Sequence, residues 1–424
     1  MIIRFLQLLR GPKSSQAMVL YIGTVLQLLL GVVTSVVVTR ALKPEQYGNY
    51  SYVLNLASFV LLIVSTGHFV SISMMLAQSH DDKHTRSLLG TSLLVTLLLS
   101  CLFSSIIFFF SFFQDYLFRD KIGYSIRLLA LPLFLFPLQT YLESVLMGLN
   151  RIHALSAQRA IPKAFYIVAL FLYMRFASLG FLSAFCLMLL ALYVVYAVQV
   201  VNLKPTFDNI SANLRHITSE NKRYGFHVYV GSLANVATTY LCTLSVSYFG
   251  DNTKLGFFNL ALTLSIPLGL LPNVVATTFF KSFADMNRVP IKVVSYTLGL
   301  SLCSYLVFIC LLKKVVFLLY SADYAKSVPL AIILGLGMII QGLGDVFNRF
   351  LCAKARGKQV RNGAFVAGAV NVGAILVLVP AFGGTGAAVT RVLAGSVYFA
   401  AMYLYYRDCR MQLTGQCGTR ALAV

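Results

Sequence analysis

Tryptophan is absent from this 424-residue chain, and acids are scarce: 13 Asp and Glu stand against 34 Lys and Arg, and charged residues make up only 11% of the sequence. Ordinary soluble domains carry about 25% charge. So little charge excludes the string of soluble domains that length alone would allow. Long polar stretches between apolar ones are lacking too, which leaves no room for a soluble catalytic domain. No Walker-type phosphate loop, paired His/Cys metal spacing or Gly-x-Ser-x-Gly elbow occurs. Eight cysteines, at 101, 186, 242, 303, 310, 352, 409 and 417, form neither a metal-spaced cluster nor a disulfide framework and read as small core residues. His80-Asp81-Asp82-Lys83-His84 reads as a solvated turn rather than a metal site. The net charge of +21 suggests nucleic acid, but no basic, aromatic-interleaved soluble patch exists to carry such binding.

What is there is apolar: 58% of the residues. A bilayer core of roughly 30 Å needs about 20 apolar residues as a helix. Twelve segments meet that need: 17–39, 51–76, 88–113, 125–148, 162–178, 181–202, 226–249, 256–280, 292–312, 329–352, 363–381 and 385–406. Short Gly-containing turns, Ser178-Leu179-Gly180 and Gly383-Gly384-Thr385, divide the fifth span from the sixth and the eleventh from the twelfth. The predicted fold is an all-α integral membrane protein of about 12 transmembrane helices. Arg4, Arg10 and Lys13 precede a full-length span rather than the short core of a cleavable signal. With the N-terminus inside, the predicted cytoplasmic segments hold 22 of the 34 Lys and Arg, the outside loops 9, and the spans Arg127, Arg349 and Arg391. That bias places both termini in the cytoplasm.

The two halves resemble each other. Gly48 and Gly256 open equivalent spans 208 residues apart (256 − 48), Gly180 and Gly386 lie 206 apart (386 − 180), and Arg151 and Arg356 lie 205 apart (356 − 151). The predicted organisation is a 6+6 tandem repeat: a first six-helix bundle over 1–202, a cytoplasmic linker over 203–224 that is either an amphipathic surface helix or a plain connector, a second bundle over 225–406, and a cytoplasmic tail over 407–424. Six is even, so the halves run parallel, and two such bundles would enclose a central cavity suited to alternating access.

A charge at mid-bilayer costs about 2.5–3.5 kcal/mol, so it usually faces a cavity and has a task. Gln139-x-x-x-Glu143 and Gln341-x-x-x-Asp345 are the same pattern on repeat-equivalent spans, 202 apart (345 − 143). Glu143 and Asp345 are candidates for ion coupling; the alternative is structural pairing with a neighbouring base, Arg349 being the candidate for Asp345. Arg391 is the deepest cation, about 9 Å inside its span. Arg127 and Arg349 either line the cavity or snorkel to the interface. Cavity cations suit an anionic substrate, because Arg binds phosphate bidentately. Gln27, Asn259, Asn273 and Asn371 either meet sugar hydroxyls or hold helices together. Prolines 132, 137, 267 and 272 favour kinks in the fourth and eighth spans.

The run Thr39-Arg40-Ala41-Leu42-Lys43-Pro44-Glu45-Gln46-Tyr47-Gly48-Asn49-Tyr50 resembles the polysaccharide-transporter family, which includes the O-antigen (Wzx-type) flippases. Glu220 to Tyr229 and Leu255-Gly256-Phe257-Phe258 are similar to that family's opening of the seventh and eighth helices. The resemblance implies a V-shaped pair of six-helix bundles of the multidrug/oligosaccharidyl-lipid/polysaccharide exporter superfamily. It implies flipping of a polyprenyl-pyrophosphate-linked oligosaccharide across the bacterial inner membrane, by a monomer, with membrane lipid and other glycan-assembly membrane proteins as partners. Arg40 and the cavity arginines would engage the pyrophosphate. No cofactor is expected, and with no nucleotide site any active step would draw on a proton or sodium gradient, or on the substrate's own. Two rivals are an ion-coupled drug or metabolite antiporter and a membrane glycan polymerase. The latter normally needs a large outside loop, and the longest here, Lys313 to Val328, has only 16 residues.

Overall fold

The computed structural model describes residues 12–79, 81–354 and 356–421, so that Arg4, Arg10 and His80, together with the side chains of Lys13 and Cys417, lie outside the described residues. Among the described residues there is no strand. Lipid offers no partner for a backbone N–H or C=O, and a helix meets that demand within its own segment. The chain divides into two compact units, Met1–Leu233 and Ala234–Val424.

The first unit contains α1 (Pro12–Ala41), α2 (Pro44–Val64), α3 (His68–Gln78), α4 (Asp82–Leu117), α5 (Gly123–Ala130), α6 (Leu135–Gly148), α7 (Ile152–Met174), α8 (Phe181–Leu203) and α9 (Ile210–Glu220). The boundary falls within α10 (Phe226–Phe249), and the second unit continues with α11 (Asn252–Thr278), α12 (Phe280–Asp285), α13 (Ile291–Val315), α14 (Ser327–Ala353) and α15 (Gly357–Ala421). Each of the twelve predicted spans falls on helix. Among the described residues eight helices are long and apolar enough to cross a bilayer, or nine if the bent pair α5 and α6 forms one span, and Leu26–Ala41 and Val236–Phe249 are shorter apolar helices. One of the eight, Gly357–Gln412, runs to 56 residues, and Gly383 breaks α15 with φ 57° and ψ −130° at the predicted turn. At 1.5 Å per residue an unbroken helix of that length would be about 84 Å, far beyond one bilayer.

Helix α4 shows how such a helix is built. Its inward stripe is small and polar: Thr91, Ser92, Thr96, Ser100 and Ser111 are fully buried. Its outward face is apolar, with Leu98 70% and Phe109 64% exposed. This inverts a soluble helix, because lipid is as apolar as leucine and small residues let helices approach. Asp81 caps the start, accepting from the N–H of Lys83 (3.2 Å) and His84 (3.3 Å).

The structure departs from the predicted spans in three places. The fifth span starts earlier: α7 begins at Ile152 and carries Pro162 in its interior, so Arg159 and Lys163 lie on the helix rather than in a loop. The second span is broken between α2 and α3 by Gly67, whose φ of 84° favours glycine. The prolines of the fourth span coincide with a bend of 54°, whereas α11 runs on through Pro267 and Pro272. Proline in a helix interior removes one hydrogen bond without ending the helix wherever packing holds it.

Residues 203–225 belong to the first unit. Asn213 of α9 donates to Ser87 Oγ (2.7 Å) and Thr91 Oγ1 (3.3 Å) on α4. The π-helical turn Asn221–Gly225 fastens to the break in the second span: Asn221 Nδ2 donates to Thr66 O at 3.1 Å and Tyr229 to Ile63 O at 3.0 Å. Gly225 sits so close that a Cβ there would meet Ser71 Oγ at 2.0 Å and Gly67 O at 2.6 Å. We therefore expect Gly225→Val to destabilise the protein by about 1–3 kcal/mol, as overpacking does. Gly299→Ala in α13, where a Cβ meets nothing within 4 Å, should leave stability unchanged or raise it. Thermal unfolding in detergent measures both; equal melting of Gly225→Val and the parent would refute the close approach.

Candidate functional site

The site in the second unit starts from four glycines on α14. Gly335 and Gly342, one heptad apart, face α11: a Cβ on either would meet Leu268 Cδ1 at 2.8 Å or Pro272 Cγ at 2.7 Å. Gly337 and Gly344, also one heptad apart, face α15: a Cβ on either would meet Val392 N at 3.3 Å or the Tyr398 ring at 2.8 Å. Two glycines at a two-turn spacing form one bare stripe, along which a neighbouring backbone can lie. Arg391 and Tyr398 share that spacing: Tyr398 packs against Gly344 and bonds Asp345, while Arg391 lies at Gly337, one heptad away along the same groove.

They line a cavity of about 170 Å³ with Asp345, Asn348, Asn371 and Gln341. Tyr398 donates to Asp345 Oδ1 at 2.9 Å and accepts from Asn348 Nδ2 at 2.6 Å. Asn371 is 3% exposed, and its Nδ2 donates to Thr238 O at 3.4 Å. Two buried polar atoms on this wall have no hydrogen-bond partner, Arg391 Nε and Asn371 Oδ1. Among the described residues Arg391 makes no ion pair within 4 Å. A donor and an acceptor left unmet in a polar cavity are the mark of a site with room for something to complete it. The cavity is polar and has room for ordered water or a small anionic group.

The predicted site residues divide accordingly. Asp345, Arg391 and Asn371 meet in this cavity. Arg349 is exposed and forms no ion pair with Asp345 among the described residues; Tyr398 is the partner found there instead. Asn259 is half-buried on α11, away from the cavity lining, and its carbonyl accepts from Thr263. In the first unit Glu143 of α6 pairs with Arg159 of α7, Nε donating to Oε1 at 3.0 Å and the terminal guanidinium nitrogen closing the ion pair. Lys163, one turn further on, donates to Gln27 O at 3.1 Å, so Gln27 takes part through its carbonyl. Arg40 is exposed at the end of α1. Arg127 lies over the Phe112 ring at 3.8 Å and donates to Ser111 Oγ at 3.4 Å, an interfacial packing role. Sequence reasoning passed over Arg159, Lys163, Tyr398 and Asn348. The first two are legible as an i, i+4 basic pair once α7 is extended, and the glycine heptads of α14 point to Tyr398.

Residues 15–286 match the family of polysaccharide biosynthesis proteins, well over half of the chain. No curated protein is similar to it. Among solved structures, the lipid II flippase MurJ in an inward closed conformation is 14% identical, with a TM-score of 0.73 over 93% of this chain and 90% of that one. An inward-facing multidrug resistance MATE family transporter of the MOP superfamily is 15% identical, with a TM-score of 0.71 over 92% of this chain and 96% of that one. A MOP superfamily transporter from Pyrococcus furiosus, described by the reverse polarity of its binding pocket, is 14% identical, with a TM-score of 0.58 over 96% of this chain and 98% of that one. At such identities the likeness is one of fold. The chain therefore belongs to the polysaccharide biosynthesis protein family, as a multi-pass membrane protein with the fold shared by flippases and transporters of the MOP superfamily.

Proposed function

We propose that the protein flips a polyprenyl-pyrophosphate-linked oligosaccharide, an O-antigen or similar glycan repeat unit, across the bacterial inner membrane by alternating access. The observation that carries this reading is Arg391, a cation within an apolar helix whose Nε is buried and unpartnered on the wall of a polar cavity. A guanidinium is built to bind phosphate oxygens. Asn371 Oδ1 on the same wall supplies an acceptor that suits a hydroxyl.

The two carboxylates take different parts in this reading. Glu143 is held by Arg159 and serves structure first. Asp345, bonded to a neutral tyrosine and set in the same cavity as Arg391, is the coupling group for a proton or sodium ion. Asp345 is also the feature that favours the rival reading, an ion-coupled antiporter of a drug or metabolite. Arg391 on the wall of the same cavity disfavours an organic cation as cargo.

Deletion of the gene followed by lipid analysis tests the function. The flippase reading expects a completed lipid-linked repeat unit to accumulate on the cytoplasmic face. Single units accumulating outside would point to a polymerase, and unchanged glycan lipids to the antiporter. In the restored strain, Arg391→Ala should lower flipping about 10- to 150-fold at normal protein level, the worth of one charged hydrogen bond. Asp345→Asn should likewise reduce surface glycan at normal level. Glu143→Gln should instead lower the protein level, because it strands a half-buried Arg159. The double change Glu143→Gln with Arg159→Gln should recover most of the level and the glycan; failure of that rescue would give Glu143 a coupling role of its own.

A further inference from the structure

A second cavity of the same unit, of about 700 Å³, opens where the segment after α12 meets the later turns of α15. Three cations line it: Arg288, Lys292 at the start of α13, and Arg410 of α15. Its apolar side is aromatic, with Phe347, Tyr403 and Tyr406. Val289 N–H donates to Tyr406 Oη at 3.2 Å, which fastens the segment to α15 and holds the cavity open in shape. Among the described residues no carboxylate lines it, and neither Arg288 nor Lys292 forms an ion pair within 4 Å. None of its lining residues belongs to the Arg391 cavity.

Its level in the membrane can be read from α13. Of the most apolar stretch of Ile291–Tyr320 only 11% is buried, so this helix gives most of its surface to lipid. Ile291 at its first residue is 75% exposed and Tyr296 74%. The three cations therefore stand where hydrocarbon ends and headgroups begin, with an acyl-compatible rim directly below them. Aromatic side chains with a polar tip, such as Tyr403 and Tyr406, favour that same level.

We propose that this cavity is a binding site for an anionic phospholipid. Arg288, Lys292 and Arg410 hold the phosphate of the headgroup, and an acyl chain lies against the lipid-facing surface of α13 beginning at Ile291. A free inorganic anion would leave the apolar rim unused, and a zwitterionic lipid would leave the excess positive charge unmatched. The assignment does not rest on the flippase reading.

The absence of tryptophan makes the test direct. Ile291→Trp places a single fluorophore at the rim, and the protein is reconstituted in phosphatidylcholine vesicles containing brominated phosphatidylglycerol or, in parallel, brominated phosphatidylcholine. Each interfacial cation is worth about a fivefold preference for an anionic lipid, and salt screens part of it, so three should give about tenfold stronger quenching by the anionic lipid. Adding Arg288→Gln, Lys292→Gln and Arg410→Gln together should reduce that preference to about twofold or less. If the triple variant does not fold, Lys292→Gln alone should lower it about two- to fivefold. Equal quenching by both lipids in the Ile291→Trp protein overturns the site. Relief of quenching by a short prenyl pyrophosphate, at concentrations where inorganic phosphate has no effect, assigns the cavity to an isoprenoid pyrophosphate and overturns the resident phospholipid. Relief by inorganic phosphate alone reduces it to a general anion site and overturns it as well.

Discussion

A guanidinium set in an apolar helix has to be met from inside the protein, since lipid offers it nothing. That constraint shapes the second unit around Arg391. The cost of such a charge, about 2.5–3.5 kcal/mol at the centre of a bilayer, is tolerable only where polar neighbours converge. The convergence comes from packing. Gly337 and Gly344 leave a bare stripe on α14 against which the later part of α15 lies nearly backbone to backbone. A side chain at Gly344 would meet the Tyr398 ring that holds Asp345, and one at Gly337 the backbone at Arg391 and Val392. The same helix turns its other glycine pair, Gly335 and Gly342, to α11, so α14 is held on two faces. The polar site is thus a consequence of where side chains are missing.

Much of the architecture could be read from the sequence because the bilayer writes it plainly. Span length, apolar composition and turn glycines are one-dimensional signals, and each of the twelve spans lies on helix. Gly383 was legible as a break because only a residue without Cβ tolerates its backbone at low cost. The beginning of the fifth span was hidden by Pro162. Proline reads as a start signal, yet α7 carries it ten residues into the helix. That single misplacement moved Arg159 into a loop and concealed the partner of Glu143. Tyr398 and Asn348 were invisible for a different reason: neutral polar residues carry no insertion penalty large enough to flag them, and only the fold reveals that they hold Asp345. The break at Gly67 lay inside an apolar run, where hydropathy is blind to backbone conformation.

The linker shows a further limit of pattern reading. Its composition allowed an amphipathic surface helix or a plain connector. In the structure it is neither free nor merely superficial: Asn213 and Ile217 are buried, and the π-helical turn after α9 is fastened beside Gly67. A segment bonded in this way to the broken helix packs as part of the first unit, which no hydropathy pattern could have shown.

The two carboxylates share a spacing but not a setting. Glu143 and Asp345 lie 202 residues apart, and so do Tyr196 and Tyr398 (398 − 196). Tyr398 bonds Asp345, and Tyr196, fully buried on α8, stands within electrostatic reach of Glu143. The acid and the tyrosine thus recur at one spacing in both units. Arg159 also has a counterpart at this offset, Arg361 (361 − 159), but Arg361 is exposed at the start of α15 and does not pair with Asp345 among the described residues. Glu143 is thus closed by a base, whereas Asp345 is held by a tyrosine and shares its cavity with a cation that pairs with no acid among the described residues. Arg391 Nε and Asn371 Oδ1 leave hydrogen-bonding capacity on the wall of that cavity, so what the second carboxylate lacks in a base the site keeps as open donors and acceptors.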